Sequence, residues 1–225
     1  MVRPDAGDLI DIHTHDSARE NGIFSVENIL AHTVREPDDE CDCFSVGAHP
    51  WFLRSDNVGD AVSKVAELAR HDRVVAVGEA GYDRRRGGDI QLQQRCFEDQ
   101  AAIADELDKP LIIHCVKMWD ELWASRKRLS PDVPWIIHGF NGGKEQALQL
   151  VSGGFMLSLW ARSLLSRSLD VVIAALPASS LFIETDGLKL PLKELYGIAA
   201  EARSSTVDEL TATIHSNYER CFLSL

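Results

Sequence analysis

The sequence predicts a TIM-like (β/α) barrel, small or distorted, with seven to eight parallel strands, and three observations lead there. Short aliphatic segments alternate with stretches of helical periodicity, the pattern of parallel strands joined by right-handed crossovers. Several strand segments, such as LII and WII, are apolar without a break, as expected where a sheet is buried on both faces. Five of these segments deliver a side chain able to ligate a metal ion: LIDIHTH carries His13 and His15, VVAVGEAG carries Glu79, PLIIHC carries His114, PWIIHG carries His138 and LFIETDG carries Asp186. In an open, doubly wound sheet, strands several places apart would hold these groups too far from one another; a sheet that curls round brings them together.

The first strand is 9–15, where His13 and His15 share strand parity and can chelate one ion while Ile12 and Thr14 face the other way. Residues 25–36 read as a helix with Ser25 as its cap and Pro37 as its stop. A second strand, 43–49, is ended by Pro50, and apolar spacing over 58–71 predicts a helix. The third strand is 74–79, followed by the loop GYDRRRGGD and a helix over 90–107. Pro110 opens the fourth strand, and 118–129 is a helix rich in tryptophan and charge. The fifth strand, 133–138, is entered through Pro134. Gly142 and Gly143 lead into a helix that ends near Gly153, and 155–159 is the sixth strand. A helix over 164–176 is stopped by Pro177, 181–184 is the seventh strand, and 192–225 is mostly helical. An eighth strand is expected to be short or absent at the end of the barrel.

A chain of 225 residues can bury a full core as one domain, 1–225, without disulfides. With 23 basic and 35 acidic residues the formal charge is −12, opposite to the basic face of a protein that grips a long duplex, so any contact with nucleic acid is local. Five cysteines include no CxxC pair, and Cys41 and Cys43 read as reduced thiols of a cytoplasmic protein. The opening MVRPDAGD has no apolar core of a signal peptide, and no eighteen apolar residues run together, which predicts a soluble chain away from membranes. A monomer is assumed.

Taken in order and spacing, DIHTH, GAHPW, VGEAGYD, PLIIHC, WIIHGFNGG and FIETDG resemble the TatD family of metal-dependent hydrolases, a branch of the amidohydrolase-like barrels, and NYERCF near the end is similar to that family's tail. The resemblance implies two divalent ions, zinc, magnesium or manganese. His13, His15, Glu79 and Asp186 would hold the first, and Glu79, His114 and His138 the second, with Glu79 bridging. It also implies that Asp186 and Glu79 are the catalytic carboxylates, Asp186 taking the proton of the attacking water. These roles are chemically consistent. A glutamate between two ions offsets their repulsion, and the pair makes a water acidic enough to ionise near neutral pH. Imidazole donors suit zinc, manganese, iron or cobalt, whereas magnesium prefers carboxylates and water.

Around these ligands, His49 in the GxHP motif is expected at the site, in a substrate or supporting role. Asp11 and Glu184 share parity with ligands two residues on and either orient them or coordinate directly. His32, His71 and His215 fall on expected helices and read as structural, and Cys115 as packing between barrel and helix. Arg84, with Arg85 and Arg86, and Lys117 are the candidates for substrate phosphate, and Trp51, Trp119 and Trp160 for stacking on bases or for core packing. Three departures from the family pattern bear on the substrate: Val116 stands where an arginine is usual, GLK follows Asp186, and the loops are short. The expected activity is hydrolysis of DNA phosphodiester bonds, as a deoxyribonuclease. The alternatives are a hydrolase of the same fold acting on another ester, an amide or a lactone, and a metal-binding scaffold without catalysis.

Overall fold

The computed structural model describes residues 2–15 and 19–223. Eight parallel strands form a single sheet in chain order: β1 (Leu9–Thr14), β2 (Ile23–Leu30), β3 (Cys43–Gly47), β4 (Val74–Asp83), β5 (Leu111–Val116), β6 (Trp135–Phe140), β7 (Phe155–Leu159) and β8 (Leu181–Ile183). The sheet curls into a nearly closed barrel. Its helices are α1 (Val58–Leu68), α2 (Ile90–Glu106), α3 (Trp119–Leu129), α4 (Lys144–Ser152), α5 (Ala161–Leu165), α6 (Asp170–Ala175), α7 (Leu192–Ala202) and α8 (Val207–Tyr218). All ten residues of β4 are buried, the burial expected of a strand covered on both faces.

The largest departure from the sequence reading is at 25–36. The segment is the parallel strand β2, hydrogen-bonded between β1 and β3, and the helix expected there does not form. Ser25 caps nothing; its backbone N–H donates to Asp42 Oδ2 at 3.0 Å. The polar residues that made the stretch look like a solvated helix are buried and take partners distant in sequence. Asn28 Nδ2 donates to Ser45 Oγ at 2.9 Å and to the Gly78 carbonyl at 2.6 Å, and Glu27 pairs with Arg35 at 2.8 Å. Strand and helix therefore do not alternate from the start: among the described residues no helix lies between β1 and β2 or between β2 and β3. The strand absent from the seven expected was the second. The last is present, though only three residues long. The single helix expected over 164–176 is two short ones, α5 and α6. The tail is helical as expected up to residue 223; residues 224–225 lie outside the described part.

Three of the four register shifts recorded in the ladder position the side chains that matter. They fall between Asp11 and Thr14 on β1, between Val77 and Ala80 on β4, and between Ile137 and Phe140 on β6, the stretches that hold His13, Glu79 and His138. An irregularity in a strand re-aims the side chain it carries. At Glu79 it depends on glycine: Gly78 has φ +123°, and a Cβ there would lie 2.3 Å from the Ile112 carbonyl oxygen of the neighbouring strand.

β8 and β1 adjoin without a shared ladder, and the seam is stitched by individual bonds. The Asp186 N–H donates to the His13 carbonyl at 3.1 Å. Thr185 donates to both oxygens of Asp11, from its N–H at 3.0 Å and from its hydroxyl at 2.6 Å. On the outside, the buried Tyr196 of α7 accepts from the Ile10 N–H and donates to the Ile10 carbonyl, both at 2.9 Å, so β1 has no orphaned backbone group at that point. Among the described residues no helix is long and apolar enough to cross a membrane.

Candidate metal centre

The carboxyl ends of the strands bring His13, His15, Glu79, His114, His138 and Asp186 into one cluster, with His49 beside them. Glu79 sits at its centre, and its two oxygens face different partners. Oε2 lies 3.4 Å from His13 Nε2 and 3.7 Å from His15 Nε2; Asp186 Oδ1 is 3.9 Å and 3.7 Å from the same two nitrogens. Oε1 lies 2.7 Å from His114 Nδ1, 2.7 Å from His138 Nε2 and 3.0 Å from His49 Nε2. Three overlapping groups, His13–Glu79–His138, His13–His15–Asp186 and His49–Glu79–His114, each present donor atoms within 4.8 Å of one another.

Whether these residues fit a divalent ion can be judged from the donors themselves. His13 is fully buried, and neither of its ring nitrogens has a hydrogen-bond partner among the described residues. A buried imidazole left without partners is costly in an apolar core and reasonable where it ligates a cation. Four imidazoles and two carboxylates on a shared centre are a donor set of the right kind.

The titration of the cluster follows from its crowding. Burial alone would raise Glu79, but His138, His114 and His13 around it hold it well below the usual carboxylate range. Burial would lower His138, yet Glu79 and Glu184 raise it well above an ordinary histidine; His114 is raised by Asp83 and Glu79 against the same burial. His15 is pushed down to about 4 by burial and by His13. Burial raises Asp186.

Supporting contacts fix the rings. His49 Nδ1 accepts from the Trp51 N–H at 3.1 Å, which leaves the proton on Nε2 to donate to Glu79. Asp11 gives both of its oxygens to Thr185 and so closes the barrel seam; it belongs to none of the three donor groups. Glu184 Oε1 accepts from the Gly139 N–H at 2.6 Å and lies 3.5 Å from His138 Nδ1, on the side of the ring away from Glu79.

Asp83 is a participant that the sequence reading did not single out. Its Oδ2 accepts from His114 Nε2 at 3.0 Å and Trp51 Nε1 at 2.6 Å, and its Oδ1 from the backbone of Arg85 and Arg86 at 2.7 and 2.8 Å. These bonds outweigh burial and keep its carboxyl below the usual range. The signal was available. Asp83 has the strand parity of Glu79, four residues on, but a strand thought to end at Glu79 hides it.

The expected substrate contacts separate. Lys117, Trp119 and Trp160 line a cavity of about 520 Å³ that opens over His114, His138 and Asp186. Arg84 does not line it: its guanidinium is held by Glu121 at 2.5 Å and by the Lys117 carbonyl at 3.1 Å, whereas Arg85 does line it. Trp51 is occupied by Asp83 and by the guanidinium of Arg86, 3.4 Å from its ring centroid. His32 lies in a turn after β2 with its ring tilted against that of Phe52, centroids 3.9 Å apart, and His215 on α8 reaches the Asp8 carbonyl at 2.7 Å.

Comparison with known proteins places this arrangement. The family model described as TatD related DNase matches residues 32–223. An uncharacterized metal-dependent hydrolase of Escherichia coli K12, YjjV, is 30% identical over 192 residues, covering 77% of this chain and 73% of that protein. A protein of Klebsiella pneumoniae named 3′-5′ ssDNA/RNA exonuclease TatD is 31% identical over 171 residues, 72% of this chain and 64% of its own length. The crystal structure of E. coli YjjV, a TatD homologue, superposes with a TM-score of 0.80 at 25% identity, covering 97% of this chain and 99% of that one. A TatD family hydrolase from Entamoeba histolytica shares the fold, with a TM-score of 0.78 at 18% identity over 98% of this chain and 99% of that one. With the family model spanning most of the sequence and the barrel shared from end to end, this chain belongs to the TatD family of metal-dependent hydrolases.

Proposed function

We propose that the chain hydrolyses phosphodiester bonds of DNA, favouring single strands or frayed ends, at a site that holds two divalent ions. The observation that carries this reading is the division of Glu79: one oxygen faces His13 and His15, the other faces His114 and His138. His13, His15, Asp186 and Oε2 would hold one ion; Oε1, His114 and His138 would hold the other. The imidazole-rich set favours zinc over magnesium. Such ions, when bound, supply a readily ionised water and positive charge for the phosphoryl oxygens.

The chain's own residues have distinct tasks. Asp186, raised by burial and still partly open to the cavity, accepts the proton of the attacking water at its carboxylate. Asp83 holds His114 with Nδ1 turned to the centre, and Glu184 lies on the outer side of His138. His49 donates to Glu79 and keeps that carboxylate from rotating. DNA as the substrate is supported by relatives whose names describe nucleases of DNA or of single-stranded DNA and RNA.

The test is turnover. Protein loaded in turn with magnesium, manganese and zinc is given single-stranded DNA, duplex DNA with frayed or blunt ends, and a panel of non-nucleotide esters, amides and lactones. Cleavage of single strands with at least one metal is expected. No cleavage of any DNA, together with turnover of a small ester or amide, would assign the chain to another substrate class.

A further inference from the structure

The cations around the cavity are not equivalent. Several cations elsewhere on this acidic chain are paired with carboxylates, as Arg54 is with Asp56, Arg70 with Glu106, Arg128 with Glu98 and Arg167 with Asp170. Of the three consecutive arginines after β4, Arg84 is tied to Glu121 and Arg86 is stacked on Trp51. Arg85, between them, has no ion pair or ring contact among the described residues, and it lines the cavity. The same holds for Lys117, whose residue is in the left-handed region (φ +58°) with its carbonyl fixed by Arg84 Nε.

Both residues are registered to the centre through backbone, not through their own side chains. Asp83 accepts the Arg85 N–H and, with its other oxygen, the ring of His114. Arg84 ties the β4 loop to the Lys117 carbonyl, one residue beyond β5. An exposed guanidinium and an ammonium, anchored at their base and free at their tips, are therefore presented to a cavity whose floor includes His138 and Asp186. On a chain of net charge −12, two cations without a carboxylate partner among the described residues that line one cavity together with His138 and Asp186 favour an anion at that rim.

We infer that Arg85 and Lys117 form a phosphate-binding subsite that grips a phosphate adjoining the one hydrolysed. The inference rests on the nucleic-acid reading above. The bound group is either an internal phosphodiester or a terminal phosphate monoester. Arg85 can meet two of its oxygens in a fork, and Lys117 adds a point charge.

Equilibrium binding of a fluorescent ten-nucleotide single strand tests this on the metal-loaded protein. Phosphorothioate linkages keep the charge and slow hydrolysis. Arg85→Gln and Lys117→Gln should each weaken binding roughly tenfold. Each should also reduce the slope of log K against log salt by about 0.7, the share of one neutralised phosphate on a single strand. Metal content should stay at the wild-type level. Arg70→Gln, which removes one charge at the opposite end of the barrel, should bind as wild type does.

Strands ending in 5′-phosphate, 3′-phosphate or hydroxyl identify the source. A penalty confined to one phosphorylated end supports a subsite for a terminal monoester, and a penalty independent of the end supports an internal diester. If wild type cleaves strands and both variants bind as Arg70→Gln does, the subsite is overturned while the nuclease reading stands. If wild type neither binds nor cleaves strands, the nuclease reading fails. Calorimetry with inorganic phosphate then decides the subsite: binding by wild type and not by the double variant supports it, and equal or absent binding overturns it.

Discussion

Glu79 is surrounded by imidazole nitrogens at 2.7 to 3.7 Å, and each of its oxygens has its own set. Asp186 stands at the open side of the same cluster, so the two carboxylates should respond differently to loss of charge. Asp186→Asn keeps shape and one oxygen but loses the basicity needed to take a proton. Its kcat should fall by roughly a hundredfold to ten-thousandfold while some metal is retained. Near-normal kcat with full metal content would remove Asp186 from the role of base. Asp83 acts one bond further out. Asp83→Asn should lower metal affinity roughly ten- to hundredfold, read by competition with a chelator, because His114 loses the charged acceptor that sets its tautomer. The six clustered residues were legible because each follows a short aliphatic run, a pattern that repeats five times in the sequence. The role of Asp83 and the lack of an ion pair for Arg85 among the described residues were not, since both depend on which side chains meet across β4, β5 and the loop after β3.

Among the elements, the strand that resisted reading is β2. A helix cap motif and two central polar residues outweighed its apolar pattern, and only long-range partners, Ser45, the Gly78 carbonyl and Arg35, make Glu27 and Asn28 acceptable inside a sheet. The strands read correctly, such as β5 and β7, open on runs of three apolar residues, LII and FML, with no cap motif competing against them. The seam between β8 and β1 is the weakest part of the barrel wall, since it relies on single bonds in place of a ladder. Tyr196→Phe removes the hydroxyl that satisfies both backbone groups of Ile10, and it should cost about 1–3 kcal/mol in denaturant unfolding. An unchanged midpoint would show that water replaces the hydroxyl without penalty.

For the molecule as a whole, charge and metal are linked. In chelator-treated protein His138 and His114 hold protons more tightly than ordinary histidines, because Glu79 stands against both, Glu184 against His138 and Asp83 against His114. A metal ion can be ligated only by the neutral ring, so loading should expel protons at pH 7 and affinity should rise with pH through the range in which those rings deprotonate. Calorimetry in two buffers of different protonation enthalpy reads the release directly; loading without proton release would mean that these rings are not ligands. The central claim is that one buried glutamate divides this barrel's cluster into two metal positions. Anomalous diffraction from crystals soaked in manganese or zinc tests it most directly. Two peaks roughly 3.5–4 Å apart on either side of Glu79 are predicted, one against His13, His15 and Asp186 and the other against His114 and His138. A single peak, or peaks away from Glu79, would contradict it.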